Sequence, residues 1–289
     1  MESQENQYRW PKAEAVYPDR PGRSYALKRL RYRLRAFLHR GLIAQFEQFI
    51  NQHPFLVTLL NEHADYSYPL VYRFLDKRFN RKQRFQAICD NLLFLPKKLT
   101  ALSAPICKTP LSFGVVIPDF EMTLSMTTHQ PMEGYWVLEL WHKPRNELVY
   151  LLTFAKLGEA LLISVVQGPN FEGSKEMVKQ LTKTCYGLRP AYLMVETMKA
   201  LTKVLGFNQL LGIPQKYQNK SRFIQSSHYV VDYDAIFAES GGQLKDYWEL
   251  PLEIDRNLDD VPSKKRSMYR KRYAMLDDLA KVIEEKLEL

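Results

Sequence analysis

The sequence predicts an α/β (α+β) protein in which a layer of basic helices precedes a mixed, mostly antiparallel sheet. Three observations lead there. Before residue 110, apolar residues recur at the three- and four-residue steps of helices. From residue 111, apolar runs of strand length follow one another across turn signals. Helical and strand patterns then interleave to the end. With 289 residues, 46% hydrophobic and 25% charged, the chain has ordinary globular composition, which excludes wholesale disorder.

Residues 1–22 read as an irregular lead-in punctuated by Pro11, Pro18 and Pro21. Residues 23–110 form the basic helical region. Its first helix places Leu27, Leu30, Leu34, Phe37 and Leu38 on one stripe, and Gly41 ends it. The opposite face carries Lys28, Arg29, Arg31, Arg33, Arg35 and Arg40, a run whose ordinary role is a solvated surface. Further helices are expected over 42–52, 54–63, 69–78 and 80–95, with Asn80 as N-cap of the last.

Residues 111–262 form the sheet-bearing domain. Strands are expected at Leu111–Ile117, 121–128 and 135–142, and 148–157 pairs with Ala160–Gln167 as a hairpin about Gly158-Glu159. Helices at 174–186 and 190–205 lead to a strand at 207–213. A short helix at 233–240 and a strand at 247–252 follow. Residues 263–289 make a helix that passes from basic to acidic. Lys264, Lys265 and Arg266 stand at its N-terminus, where the macrodipole disfavours cations, so an acidic side chain, in preference to a bound anion, is expected beside them.

The net charge of +9 is unevenly spread. Residues 1–110 hold 19 Lys/Arg against 9 Asp/Glu, and the remainder is nearly neutral. Such a field suits anionic lipid, another envelope component, acidic protein or nucleic acid, and no recognised nucleic-acid motif accompanies it. Cys89, Cys107 and Cys185 lie far apart and read as reduced core thiols. The N-terminus has no apolar signal region, and the longest apolar runs are too short to span a bilayer, so a cytoplasmic location, with membrane association through the basic helices, is expected. The six histidines show no metal-ligand spacing, and no metal is expected.

The order of elements resembles the GNAT acetyltransferase fold, in which a helix after the fourth strand starts beside a cofactor pyrophosphate. By that resemblance, Pro190 opens the phosphate-facing helix, and an acyl-CoA or another phosphate-bearing acyl donor is the implied cofactor. A more specific resemblance rests on Val166-Gln167-Gly168-Pro169, Gly187-Leu188-Arg189-Pro190, Leu205-Gly206, Tyr233-Asp234, Ser240-Gly241-Gly242 and Trp248-Glu249-Leu250-Pro251. It continues through the tail from Ser263 to Tyr273. In order and spacing these are similar to the VirK/YbjX family of bacterial proteins. That resemblance implies virulence and envelope traits such as resistance to cationic antimicrobial peptides. It supplies no catalytic residues.

Candidate site residues follow from chemistry. Arg189 can grip a phosphate with its guanidinium fork, compensating for a turn that lacks the usual glycines. Gln167 and Gly168 end a buried strand, where turns commonly line ligand clefts, although turn geometry alone explains the glycine. His228, Asp232 and Tyr233 are the candidate proton-handling groups, while Asp232 is equally a natural N-cap. Glu239 is a further carboxylate. Two function classes stay open: an acyltransferase-like enzyme, and a non-catalytic binding or chaperone-like factor contacting acidic lipid or protein surfaces.

Overall fold

The computed structural model describes residues 7–100, 106–126, 130–219, 232–259 and 261–287. Its helical layer comprises α1 (Ala13–Val16), α2 (Ala26–Leu38), α3 (Arg40–Asn51), α4 (Pro54–Glu62), a 3-10 turn at Ala64–Val71, and α5 (Arg81–Lys98). Pro54 opens α4 at a position where its missing N–H costs nothing. Asn80 opens α5 with a capping box. Its side chain accepts from the N–H groups of Lys82 and Gln83, and the Gln83 side chain accepts from the Asn80 N–H.

Two expectations are corrected in this layer. The lead-in holds α1, whose Ala13 and Val16 are buried. The helix expected over 69–78 is absent: after the 3-10 turn, Leu75 takes φ 53° and donates its N–H to the Met132 carbonyl. A leucine in the left-handed region cannot continue an α-helix, so tertiary hydrogen bonds override the local pattern here.

The sheet has β1 (Leu111–Ile117), β2 (Phe120–Met126), β3 (Trp136–His142), β4 (Glu147–Leu157), β5 (Ala160–Gln167), β6 (Leu210–Gly212), β7 (Gln243–Leu244) and β8 (Trp248–Leu250). The spatial order is β1-β2-β3-β4-β5-β6-β8-β7. Strands β1 to β5 form an antiparallel meander, β5 and β6 pair in parallel, and the last three pair antiparallel. The parallel step needs a crossover, supplied by α6 (Ser174–Thr184) and α7 (Pro190–Val204). Helix α8 (Tyr233–Glu239) precedes β7, and α9 (Ser263–Leu287) closes the described chain. The strands expected at 207–213 and 247–252 shorten to three residues each. Beyond Gly212, Ile213 gives its N–H to the Ile163 carbonyl, and Pro214 has none to give. Residues 127–128 and 288–289 of the expected end elements lie outside the described residues.

Helix α5 is tied to the sheet by Asn91, which is fully buried. Its amide donates to the Lys156 carbonyl at 2.8 Å and accepts the Lys156 N–H at 2.7 Å, while its own carbonyl accepts from the Trp136 indole. Arg266 at the start of α9 donates to the carbonyls of Val261 and Asp259. Backbone oxygens thus take the place of the acidic side chain expected there.

Candidate functional site

The predicted cofactor and proton-handling residues belong to the elements that flank the parallel seam of β5 and β6. Strands β5 and β6 stay in register from Leu161/Leu210 to Ile163/Gly212, then part. The opening is occupied: Gln218 donates to the Ser164 carbonyl at 3.1 Å from a buried position. Asn219 donates to the carbonyls of Leu75 and Met132, and Asp76 bridges Gln218, which ties the 73–79 segment to this stretch. Gln167 is exposed at the end of β5, and Gly168 lies against the Tyr150 ring, where a Cβ would come within 3.1 Å. Arg189 is exposed as the N-cap of α7, beside Tyr192, whose hydroxyl bonds Glu239. Burial pushes the Tyr192 phenol up to about 12, and the Glu239 carboxylate adds to the rise. Asp232 caps α8 by accepting the Ala235 N–H at 3.0 Å. Tyr233 is buried, its N–H donated to the Gln215 side chain. His228 lies outside the described residues.

Sequence reasoning missed a polar cluster beside this seam. Asp76, whose side chain is fully buried, receives the Arg78 guanidinium through Nε and Nη2 at 2.6–3.1 Å and the Tyr247 hydroxyl at 2.9 Å. The Arg78 guanidinium also stacks 3.6 Å from the Tyr217 ring centre. Three segments distant in sequence meet at one ion pair, and no local spacing announces that. Among the described residues no group of histidine, cysteine, aspartate or glutamate side chains could hold a metal.

The most unusual surface is α2, and here the structure overturns the orientation expected from the sequence. Leu27 is 59% exposed, Leu30 60%, Leu34 59%, Phe37 67% and Leu38 56%. At 100° per residue these five occupy one arc of about 100°. The inward face is instead Tyr32, buried against Trp10, Tyr17 and Tyr68. Arginines fix that face: Arg29 to Asp19 and the Tyr17 carbonyl, Arg33 to Glu14, and Arg35 to the Tyr68 hydroxyl with its guanidinium 3.9 Å from the Tyr72 ring centre. Arg31 follows Leu30 on the helix, the Arg40 guanidinium lies 5.8 Å from the Phe37 ring centre, and Arg20, Arg23 and Lys28 are exposed toward the start of α2. An amphipathic helix with its apolar side turned to solvent leaves that side open to a membrane surface or to another protein. No helix among the described residues is long and apolar enough to cross a membrane.

Residues 21–285 match the family described as "Protein of unknown function (DUF535)". The chain belongs to this family. DUF535 is the VirK/YbjX family that the sequence motifs resemble. An uncharacterized protein of Haemophilus influenzae is 80% identical over 98% of this chain and 97% of its own length. A Mannheimia haemolytica protein named membrane protein LapB is 65% identical over 75% of this chain and 96% of its own length. Uncharacterized protein YbjX of Escherichia coli is 24% identical over 89% of this chain and 83% of its own. No solved structure matches.

The motifs that signal the DUF535 family interlock in this chain. Gly187, at φ 78°, sits under Arg272 and Met268 of the tail motif, and Arg272 donates twice to the Tyr186 carbonyl. Asp234 accepts from the Trp248 indole at 2.8 Å and from the Gln215 N–H, joining two more motifs. Gly241, at φ 83°, faces Pro251, where a Cβ would come within 3.1 Å of the ring. These motif residues hold loops to helices, a packing role that accounts for their spacing.

Proposed function

We propose that this DUF535 protein is a peripheral membrane-surface factor that lays α2 on anionic lipid, a binding role and not a catalytic one. One observation carries the reading: the Leu27–Leu38 stripe faces solvent, and exposed cations with no carboxylate partner among the described residues lie close to it in the chain. Each apolar side chain entering the interface contributes on the order of 1 kcal/mol. Each nearby Arg or Lys adds about as much against an anionic leaflet. The strong positive excess of residues 1–110 attracts the same surface. The printed name of the Mannheimia relative agrees with a place at the membrane, as do the envelope traits that the family resemblance implies. The acyl-donor reading draws less support, since Asp232 is spent on a helix cap and Gln218 occupies the opening at the seam.

Co-sedimentation with vesicles containing anionic phospholipid tests this. Wild-type protein is expected to pellet, more weakly as salt rises. Leu30→Asp with Leu34→Asp should lower the partition coefficient by at least about 30-fold, the equivalent of about 2 kcal/mol. Both positions are exposed, so the melting temperature should stay put. Should the wild type ignore such vesicles, or instead form a dimer that the double variant dissociates, the reading is wrong.

A further inference from the structure

The stripe on α2 ends at Leu38, and the next residue, His39, faces a cluster of cations with no acid among the described residues that face it. His39 joins α2 to α3, and its Nδ1 donates to the Arg35 carbonyl at 2.8 Å. Its Nε2 receives Arg84 Nη2 at 3.3 Å. Arg84 is 7% exposed, and its Nε donates to the Leu70 carbonyl at 2.8 Å. No carboxylate pairs with Arg84, Arg81 or Arg35 among the described residues. The charged groups facing His39 are Arg81, Arg84 and Arg35, all cations. Three more facts sharpen the imbalance. Arg81, Lys82 and Arg84 occupy the first turn of α5, where the macrodipole is already positive, and that turn holds no acid. Asn80 already satisfies the N–H groups of Lys82 and Gln83, so the imbalance is one of side-chain charge. A buried guanidinium is ordinarily paired with a carboxylate.

We infer that this cluster is an anion site for the phosphate of an anionic phospholipid headgroup, with Arg84 at its base, exposed Arg81 at its rim and half-buried Arg35 beside them. The inference rests on the membrane-surface reading of α2 and deepens it. A helix lying in the interfacial plane with Phe37 and Leu38 inserted brings the following residues to headgroup depth. Guanidinium groups meet phosphate with paired hydrogen bonds, which a lysine patch cannot reproduce. The stripe therefore supplies adsorption, and the cluster supplies headgroup choice.

Two arms test it. In the first, vesicles receive matched negative charge from phosphatidate or from oleate, a carboxylate. Wild-type protein should prefer phosphatidate roughly tenfold, the effect of losing one charged hydrogen bond. Arg81→Gln and Arg84→Gln should bind the two alike while still adsorbing. Arg81 is exposed and has no carboxylate partner among the described residues, so its variant remains informative if Arg84→Gln fails to fold. In the second arm, inorganic phosphate is compared with chloride at equal ionic strength in a thermal melt. A rise for wild type that Arg81→Gln abolishes, without preference for phosphatidate, would show a free-phosphate site and overturn the lipid assignment. Wild type that neither prefers phosphatidate nor responds to phosphate overturns the site altogether. Adsorption that depends on Leu30 and Leu34 would persist in that case, separating this failure from failure of the membrane reading.

Discussion

His39 holds the tautomer that its neighbours dictate, protonated at Nδ1 against a carbonyl and bare at Nε2 where Arg84 donates. Burial lowers its pKa below the ordinary 6.5, and the surrounding arginines push the same way. The unfolded chain therefore takes up this proton first, so the stabilising contribution is complete above about pH 6.5 and is lost as pH falls below it. Wild-type protein should lose more melting temperature on acidification through that window than His39→Gln, as followed by circular dichroism. Equal losses would show that His39 is not the group responsible. If phosphate occupies the cluster, it should shrink the difference by favouring the imidazolium. At Asp76 the expectation is different in kind. Its buried carboxylate satisfies Arg78 and the Tyr247 hydroxyl, whose pKa burial and that carboxylate push up. Asp76→Ala removes the carboxylate that the guanidinium and phenol share and should cost about 3 kcal/mol in denaturant unfolding.

Helix α2 shows what periodicity reveals and what it withholds. The spacing of Leu27, Leu30, Leu34, Phe37 and Leu38 predicts the helix, and the helix is there. The spacing does not say which side of it meets the protein. The core here offers tyrosines at 17 and 68 whose hydroxyls and ring faces suit Tyr32 and Arg35, so the mixed aromatic and basic side turns inward. The 69–78 segment fails for a related reason, because the hydrogen bond of Leu75 goes to a residue far along the chain. The two faces make a quantitative prediction. Leu34→Ala should change stability by less than about 0.5 kcal/mol, since the side chain is exposed. Phe46→Ala in α3, fully buried beside Tyr8 and Trp10, should cost about 3–5 kcal/mol. Comparable losses at both positions would contradict the assigned orientation.

At the scale of the molecule, the sheet was legible as far as β5, because each strand of a meander pairs with its sequence neighbour. The placement of β8 between β6 and β7 was not, since two-residue β7 is too short to carry a pattern and the strand expected at 247–252 does not name its neighbours. Nor was the attachment of the helical layer to the sheet, where single polar residues such as Asn91 add to a shared apolar core. A buried asparagine inside α5 reads from sequence as a minor flaw in an apolar face. In the fold it substitutes for a strand partner, closing both backbone groups of Lys156 while Trp136 anchors on its carbonyl. Asn91→Ala would strand the Lys156 N–H and carbonyl in a partly buried site, a loss of about 2–3 kcal/mol. For a chain of this size that lowers the melting temperature by roughly 5 °C. Because α5 and the sheet share this joint, far-UV dichroism, which follows the helices, and the fluorescence of buried Trp136 should still melt together. Two separated transitions in the variant alone would mean that Asn91 is the main coupling. An unchanged melt would mean that apolar packing between α5 and β4 suffices without it.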